Sequence, residues 1–576
     1  MIKACISAQT PDSGNLKSYE SARAGFCWAE LLSRFPAGRA GQANIITASV
    51  DLWADDPVKK DHPALVFESR GKCERLSYGE LKTRSCRWAA MLLNLGFAAG
   101  DRLVIFLPPC PETFFAMAAC ARIGVIFCPV FFTSGFYELE TRMESILPKG
   151  VLTHPDLVEK IPPEFIGQLQ HILLTQGVSG IFPNETIVEN LWQTMSKETG
   201  PIPFSIDTPL YLIFTSGSTR PPKGILHSHN DMAGIYASAR WALDLKPGDI
   251  LWTDADPAWV TGAVYGAFAP WLCGVTAVVC GDLFSAANWY RFLEKHKVTV
   301  WYTTPRVLRK MMEAGDDLPT RYDLSALRHI VTVGAPLVPD ILYWTKANLK
   351  KTPHDTWWMT ETGIICIANF VCMDIKPGSM GKALPGIEAE IIDADGNPLP
   401  PLSIGELALK SGWPGMMCGL WQDERGFERY FRKGGWFVTG DIALKDEEGY
   451  FYHQGRNDDL LKAGGNRIVG PFEIEQVLSS HPAVAESAVI ARGSEPGQGV
   501  SYLKAFVTVK SGYSPTTRLN YELKAYLKGN LADDIVVNEI AFMQRLPRTR
   551  SGKLIRRVLR ARELGLPGGD PGNLRE

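Results

Sequence analysis

The sequence predicts an α/β protein: a large N-terminal domain of two α/β lobes with a small β-barrel-like subdomain, then a small α+β C-terminal domain. Short apolar runs alternate with helical segments over residues 63–336, which is typical of parallel sheets covered by helices. After Met380 the pattern changes to short strands separated by Gly and Pro, and a new unit starts near Gly455. The 576 residues exceed one ordinary core. We therefore predict domains at 1–455 and 456–576.

The first lobe begins after Pro63, where a strand and a turn lead to Ser77 and Glu80, which match a helix capping box. β-branched apolar runs indicate buried parallel strands, and the stretches between them have helical character. The predicted strands are 64–69, 101–107, 124–129 and 150–153, and the predicted helices are 81–95, 111–123 and 138–146.

The second lobe follows the same alternation. Its predicted helices are 227–242, a helix headed by Trp259, 289–295 and 306–313, and its predicted strands are 249–253, 276–280, 298–302 and 329–333. The last strand ends at the turn Gly334-Ala335-Pro336. Ligands of open α/β sheets bind beyond the carboxyl ends of the strands, so the loops near 215, 334 and 355 are candidate ligand loops.

The remaining segments are shorter. The subdomain is predicted to contain strands 387–392, 405–409, 436–438 and 450–452. The C-terminal domain is predicted to contain helices 471–480 and 519–531 with strands 485–490 and 503–509. The tail from Pro567 is rich in Gly and Pro, which predicts a loose end.

Composition excludes several classes of protein. The chain is 45% hydrophobic and 21% charged with a net charge of −2, which is typical of a globular protein and does not favour nucleic acid or anionic membrane as partners. We expect no signal peptide and no transmembrane helix, because apolar runs are short or interrupted. Twelve cysteines are scattered without a CxxC pair. This favours a reducing, cytoplasmic compartment and no zinc site.

The loop Thr215–Gly224, TSGSTRPPKG, directly follows the apolar run YLIF. Small residues let backbone N–H groups approach phosphate oxygens, hydroxyl groups can donate to them, and Lys223 supplies a positive charge. It is not a Walker loop, because its lysine precedes the glycine and no Ser or Thr follows. Taken alone, the stretch fits an ordinary surface turn equally well.

Four further segments decide between these readings. Together with YLIFTSGSTRPPKG, the segments GAP at 334, DTWWMTETG at 355, GWFVTGD at 435 and PRTRSGK at 547 resemble the adenylate-forming superfamily, which comprises acyl-CoA synthetases, adenylation domains and luciferases. The likeness is greatest to AMP-forming acetyl-CoA synthetases. It implies activation of a carboxylic acid by ATP with Mg²⁺, followed by transfer to coenzyme A.

The resemblance assigns roles residue by residue. Lys553, Thr360 and Glu361 are implied to be catalytic, with Glu361 also holding Mg²⁺, a cation that prefers carboxylate and phosphate oxygens. Residues implied to bind ATP or AMP are Thr215, Ser216, Gly217, Ser218, Lys223, Gly334, Ala335, Pro336, Asp355, Thr356, Trp357, Asp441, Arg456 and Arg467. Two differences from the family pattern are Arg220, in place of glycine, and Ala335, in place of glutamate.

The C-terminal domain is implied to rotate about Asp458 between two half-reactions. In the first it presents Lys553 to the nucleotide, and in the second it presents Gly464 and Gly465, which would line a narrow tunnel for the thiol arm of coenzyme A. Lys528 is implied to meet a phosphate of coenzyme A. Acetylation of Lys553 would remove its charge, so a lysine acetyltransferase and a deacetylase are candidate partners.

Trp358 is the informative residue for the acid. Family members that take longer acids have a small residue there, whereas an indole would fill the pocket and leave room for acetate or propionate. The resemblance places the other walls of the acyl pocket at Trp259, Val260, Thr261 and Val333. Forcing extra methylenes against the ring costs about 1–3 kcal/mol.

Two other hypotheses remain open at this stage. One is an adenylating enzyme with a larger acid, such as an aryl acid, or with another acceptor; Trp358 and the Gly464-Gly465 turn argue against it. The other is a non-enzymatic binding protein of the same fold, which the presence of Lys553, Glu361 and Asp441 disfavours.

Overall fold

The computed structural model describes residues 5–7, 14–36, 41–165, 167–177, 180–196, 198–215, 222–457, 461–462, 468–494, 501–532, 535–548 and 554–565. Its architecture confirms the predicted fold class: two large mixed sheets, a smaller antiparallel sheet and a C-terminal α+β unit.

The first large sheet has eight strands. Neighbouring strands pair in parallel except at one side of the sheet, where the pairings are antiparallel. In spatial order the strands are Gly419–Leu420, Lys223–Ser228, Pro209–Thr215, Ile126–Pro129, Arg102–Phe106, Gly150–Thr153, His171–Leu174 and Glu185–Ile187.

The second large sheet has nine strands, with antiparallel strands at both ends. In spatial order these are Lys382–Ala383, Ile367–Ala368, Pro353–Trp357, His329–Thr332, Val300–Thr303, Ile250–Thr253, Thr276–Cys280, Pro63–Ser69 and Lys72–Ser77.

Sheet membership differs from the predicted lobes. The strand Pro63–Ser69, predicted in the first lobe, pairs in parallel with Thr276–Cys280 of the second sheet. The strand Pro209–Thr215, which was not assigned to either lobe, joins the first sheet beside Ile126–Pro129. Local periodicity predicts that a segment is a buried strand but not which distant strand it pairs with.

Two local predictions were also wrong. The last two residues of the loop Thr215–Gly224 and the four residues after it form the strand Lys223–Ser228, antiparallel to Pro209–Thr215, so the following helix begins at Asp231 and not at His227. Asp355 lies inside the strand Pro353–Trp357 and not in a loop. In both cases pairing with a neighbouring strand decides the structure of a short segment whose own sequence is ambiguous.

The α-helices cover and connect the sheets. They are Tyr19–Gly25, Trp28–Leu32, Leu52–Ala54, Tyr78–Asn94, Pro111–Ile123, Phe136–Ile146, Val188–Trp192, Asp231–Trp241, Val260–Ala263, Ala269–Cys273, Ala286–Lys295, Pro305–Glu313, Pro339–Asn348, Glu424–Glu428, Pro471–Ser479, Thr517–Asn530 and Arg556–Glu563. The predicted capping box is present: the Ser77 hydroxyl accepts from the Glu80 amide, and the Glu80 carboxylate accepts from the Ser77 amide.

The two large sheets share one central core. Alternate residues of their strands, such as Ile105 and Phe127 in the first sheet and Leu251 and Val331 in the second, point into it. The residues between them face two outer cores, one for each sheet. This two-sided burial is why the strands are continuously apolar, and it fixes the strand ends that carry the candidate site.

The remaining units are smaller. The antiparallel sheet contains Ala389–Ile392, Ile404–Lys410, Trp436–Lys445, Phe431–Arg432 and Phe451–Arg456. The C-terminal sheet contains Val484–Ser494, Ser501–Val509 and Val537–Phe542, the last of which was not predicted, and it has its own apolar core. The described residues also form two short strand pairs: Gln42–Ala43 with Phe204–Ser205, and Leu461–Lys462 with Ile468–Val469.

All twelve cysteines lie within the described ranges and are free thiols. Of the helices in these ranges, none combines the length and apolar character needed to cross a bilayer.

Candidate active site

The candidate phosphate loop connects two antiparallel strands. Thr215 and Lys223, at its two ends, are directly paired in the register of the strands. This pairing holds the Lys223 backbone at the base of the loop. Ser216, Gly217 and Ser218 lie outside the described residues.

A tyrosine hydroxyl separates Lys223 from Glu361. The Lys223 ammonium donates to the Tyr430 hydroxyl at 3.2 Å and lies 4.8 Å from the centre of its ring, and that hydroxyl donates to Glu361 Oε1 at 3.1 Å. Burial, reinforced by the Glu361 charge, raises the pKa of Tyr430, so the hydroxyl keeps its proton. The cation and the carboxylate are thus held near each other without a direct ion pair.

Glu361 lies in the short turn Thr360–Thr362, which is locked from two sides. Nε2 of His227 lies 2.7 Å from the Thr360 carbonyl oxygen, and the same ring stacks on Tyr211. Gly363 has a left-handed backbone, and a Cβ there would lie 2.0 Å from the carbonyl oxygen of Gly415. Only glycine fits that approach, so the turn is rigidly placed.

The carboxylate of Glu361 fits Mg²⁺. Among the described residues its side chain makes one hydrogen bond, from Tyr430, and this leaves Oε2 available. Mg²⁺ typically binds one or two carboxylates together with substrate phosphates. One available carboxylate oxygen on a fixed turn meets that need.

Hydrogen bonds from Trp357 and Arg456 help to orient the Asp441 carboxylate. The Trp357 indole N–H donates to Oδ2 at 2.7 Å, and Arg456 donates to Oδ1 at 2.8 Å. Asp441 and Arg456 face each other on paired strands. The carboxylate is therefore presented in one orientation, which suits recognition of two neighbouring hydroxyl groups.

Asp355 lies next to the turn Gly334-Ala335-Pro336, because it pairs with Thr332, the last residue of the adjacent strand, and the turn follows that strand. Asp355 accepts from the Thr332 hydroxyl at 2.6 Å and from the Leu337 amide at 3.3 Å. Gly334 has φ +89°, and a Cβ there would meet the Trp259 ring at 3.1 Å. Gly334 and Ala335 are exposed, so the turn offers a surface beside a buried carboxyl group.

Trp358 is enclosed by two tyrosines. Its indole N–H donates to the Tyr302 hydroxyl at 2.9 Å, and its ring meets Tyr265 edge to face with centroids 5.0 Å apart. Trp357 and Trp358 are consecutive residues, so one points to the Asp441 carboxylate and the next to the tyrosine pair. The two candidate subsites are covalently adjacent.

The other predicted pocket residues are placed compatibly. Trp259 is half-buried against Gly334, whereas Val260, Thr261 and Val333 are buried. The Thr261 hydroxyl is buried and has no hydrogen-bond partner among the described residues. Such a group ordinarily needs a partner, so its position suits a polar ligand.

Several predicted residues of the C-terminal part cannot be placed. Asp458, Gly464, Gly465, Arg467 and Lys553 lie outside the described residues. Lys528 is described and is exposed in the last turn of the helix Thr517–Asn530.

Tyr430, Tyr302 and Tyr265 were not predicted from the sequence to belong to the site. Each contacts a predicted site residue through its hydroxyl group or ring. Tyr265 and Tyr302 stand in largely apolar or aromatic surroundings in the sequence, where core packing is the default interpretation, and Tyr430 stands between Arg429 and Phe431 in a charged stretch that matches no motif. For Tyr430 and Tyr302, the only available signal was a polar tip on an otherwise apolar side chain.

The buried Asp355 carboxyl predicts a specific pH dependence of stability. Burial raises its pKa from the ordinary value to about 7. A carboxyl group with a raised pKa in the folded state contributes stability that is present below its unfolded pKa, about 3.9, and is lost as the pH rises through the folded value. Asp355→Asn cannot titrate. We expect the variant to gain stability relative to wild type as pH rises from 5 to 8, by up to about 1.4 kcal/mol per pH unit.

Urea denaturation of the nucleotide-free proteins at pH 5, 6, 7 and 8 measures this difference. Asp395→Asn, at an exposed turn position, is the matched control and should show no trend. A constant difference between Asp355→Asn and wild type over this range would contradict the argument.

Comparisons with known proteins identify the family. A family model described as AMP-binding enzyme matches residues 53–421, and one described as AMP-binding enzyme C-terminal domain matches residues 473–553. The chain belongs to the AMP-binding enzyme family.

Curated relatives match over nearly the whole chain. An acetyl-coenzyme A synthetase of Bacillus subtilis (strain 168) is 43% identical over 562 residues, covering 96% of this chain and 97% of the relative. An acetyl-coenzyme A synthetase of Caulobacter vibrioides is 35% identical, covering 88% and 82% respectively.

Solved structures agree on the fold. An acyl-CoA synthetase of Brucella canis has a TM-score of 0.74 at 27% identity and covers 95% of this chain and 99% of its own. An acetoacetyl-CoA synthetase of Streptomyces lividans has a TM-score of 0.85 at 19% identity, with coverage of 99% and 97%, and supports the fold alone.

Proposed function

We propose that the protein is an AMP-forming acetate–CoA ligase. It joins acetate to coenzyme A in two steps through an acetyl-adenylate and releases AMP and pyrophosphate. The observation that carries the proposal is the pair Trp357 and Trp358: the indole of Trp357 orients the Asp441 carboxylate, and the indole of Trp358, the residue assigned to the acyl pocket, is held by the Tyr302 hydroxyl. The proposed nucleotide site and the proposed short-acid site therefore contain consecutive residues, Trp357 and Trp358. The extensive identity to curated acetyl-coenzyme A synthetases supports the same conclusion.

In the first half-reaction the acetate carboxylate attacks the α-phosphorus of ATP, and the bond to pyrophosphate breaks. Asp441 binds the ribose hydroxyls, Asp355 and the turn at Gly334 face the adenine, and Lys223 faces the departing phosphates. Glu361 would hold Mg²⁺, and the bound cation would neutralise phosphate charge. Lys553 contributes a positive charge where negative charge develops, the type of interaction that accelerates such transfers most strongly.

In the second half-reaction the thiol of coenzyme A attacks the acetyl carbon, and AMP leaves. We assign residues 1–455 to a main domain and 456–576 to a lid that turns about Asp458 between the two steps. Gly464 and Gly465 then leave room for the thiol arm. The separate apolar core of the C-terminal unit supports independent movement.

We also place the protein in the cytoplasm, where its free thiols remain reduced. Acetylation of Lys553 by a lysine acetyltransferase, reversed by a deacetylase, would remove the charge required in the first step.

A panel of acids tests the proposal. Acetate, propionate, butyrate and benzoate are each supplied with ATP, Mg²⁺ and coenzyme A, and AMP, pyrophosphate and thioester are quantified together. Equal yields of all three with acetate, and much lower yields with the larger acids, are expected. Turnover of only the larger acids would favour the alternative of an acyl- or aryl-CoA ligase, AMP and pyrophosphate without thioester would favour another acceptor, and no product with any acid would favour a binding protein.

A further inference from the structure

The indole of Trp358 stands at one end of a buried chain of hydrogen bonds. Its N–H donates to the Tyr302 hydroxyl at 2.9 Å, this hydroxyl lies 3.0 Å from the Thr356 hydroxyl, and the Thr356 hydroxyl donates to the Thr332 carbonyl oxygen at 2.7 Å. All four residues are buried.

The direction of every hydrogen in this chain is fixed. The Thr356 hydroxyl has one hydrogen, and the Thr332 carbonyl oxygen takes it. Tyr302 must therefore donate to Thr356, and its lone pair receives the Trp358 N–H. Burial raises the pKa of Tyr302, which keeps its proton in place. Each group has one partner on each side, so the Tyr302 hydroxyl cannot be removed without leaving the indole N–H unpaired.

The ring of Trp358 is held from a second direction. Tyr265 packs against it at an interplanar angle of 77°. The Tyr265 hydroxyl accepts from the Ile365 amide at 2.8 Å and lies 2.7 Å from the Ser238 hydroxyl, whose hydrogen goes to its own helix. Tyr265 is thus an anchored wall, and Tyr302 fixes the edge of the indole against it.

We infer that Tyr302 is a specificity-determining positioning residue, whose hydroxyl holds the Trp358 indole in the orientation that limits the length of the acid. The inference rests on the proposed function, because it assumes that Trp358 closes the acyl pocket. Tyr302 acts through the indole and not on the reacting atoms. Without its hydroxyl, an unpaired buried N–H favours rotation of the indole away from the pocket, which admits longer acids.

Tyr302→Phe tests the inference, since it keeps the ring and removes one oxygen atom. The readout is the ratio of kcat/KM for acetate to kcat/KM for butyrate in pyrophosphate exchange. We expect this ratio to fall at least about tenfold. This lies within the range by which one or two methylene groups change kcat/KM in apolar pockets. The fall should come mainly from a lower KM for butyrate. A general loss of packing would reduce kcat/KM for both acids by the same factor and leave the ratio unchanged.

Tyr290→Phe is the matched control. Tyr290 is also buried, but it belongs to the outer core of the second sheet and its hydroxyl has no partner among the described residues. In Tyr290→Phe, the ratio of kcat/KM for acetate to kcat/KM for butyrate should stay within about twofold of the wild-type value. If Tyr302→Phe does not fold, as judged by circular dichroism, Thr356→Val removes the acceptor of the same chain and should lower the ratio about threefold or more.

Trp358→Phe completes a double-mutant cycle. If Tyr302 acts through the indole N–H, adding Tyr302→Phe to Trp358→Phe should change the ratio less than twofold. Two results would overturn the inference while leaving the proposed function intact, provided that the wild type prefers acetate. One is an unchanged ratio of kcat/KM for acetate to kcat/KM for butyrate in folded Tyr302→Phe. The other is a double variant in which the effects of the two substitutions on this ratio multiply fully. A wild type with no preference for acetate would overturn the proposed function and this inference with it.

Discussion

Lys553→Ala is expected to lower acetate-dependent pyrophosphate exchange by at least about 10²-fold, the loss typical when one preorganised group that stabilises transition-state charge is removed. The same variant should form thioester from supplied acetyl-adenylate and coenzyme A at close to the wild-type rate. The reason is that, in the proposed mechanism, the two half-reactions use different faces of the C-terminal domain. Exchange and thioester formation are measured separately on the same preparation.

Lys72→Ala is the control for the loss of a lysine, because Lys72 is exposed on the edge strand of the second sheet. It should leave both half-reactions unchanged. Equal losses of the two half-reactions in Lys553→Ala would mean that Lys553 is needed for the fold or for nucleotide binding in general, and would refute the assignment of this lysine to the first step.

Trp358→Gly is expected to reverse the preference for short acids. Removing the indole opens space next to Tyr265 and Tyr302, and each methylene that then packs favourably changes kcat/KM by about 10–200-fold. Acetate should lose efficiency, since it no longer fills the pocket, and butyrate and pentanoate should gain. Pyrophosphate exchange with an acid series from two to six carbons measures the shift.

The same substitution will also destabilise the protein, because replacing a large buried aromatic side chain costs about 3–5 kcal/mol. Trp344→Gly separates the two effects. Trp344 is 8% exposed, like Trp358, and its indole N–H is also hydrogen-bonded, to Asp316. This control should lose stability yet retain the preference for acetate. An unchanged acid preference in Trp358→Gly would show that the pocket is assigned wrongly.

Much of the fold could be predicted because its strands are buried on both faces. Runs such as LVIF in Arg102–Phe106 and AVVC in Thr276–Cys280 are apolar and lie between helical segments, so both were predicted as strands and are strands. Which sheet each strand joins depends on contacts over long sequence distances. Pro63–Ser69 pairs with a strand more than two hundred residues away, and no local pattern encodes that pairing.

The candidate site divides in the same way. Asp441, Glu361 and Trp358 could be predicted because each stands in a segment that resembles the family. Tyr302 and Tyr430 could not, since their importance arises only when distant segments fold together: Tyr302 is 56 residues from Trp358, and Tyr430 is 69 from Glu361. Their phenol rings also pack as core residues do. The hydroxyl contacts that distinguish them are visible only in three dimensions.

Ligand recognition is expected to depend on groups that the protein orients through its own hydrogen bonds. Arg456 and Trp357 fix Asp441, and Tyr430 holds Lys223 and Glu361 apart. Preorganisation of this kind reduces the cost of ordering side chains when a ligand binds. It also explains why several charged groups can lie close together within a largely apolar body.

The most direct measurement is a crystal structure with a non-hydrolysable acetyl-adenylate analogue. The account predicts that the acetyl methyl contacts the Trp358 indole, that both ribose hydroxyls meet Asp441, and that the adenine lies against the turn at Gly334. An indole turned away from the methyl, or a nucleotide bound at another place, would contradict it.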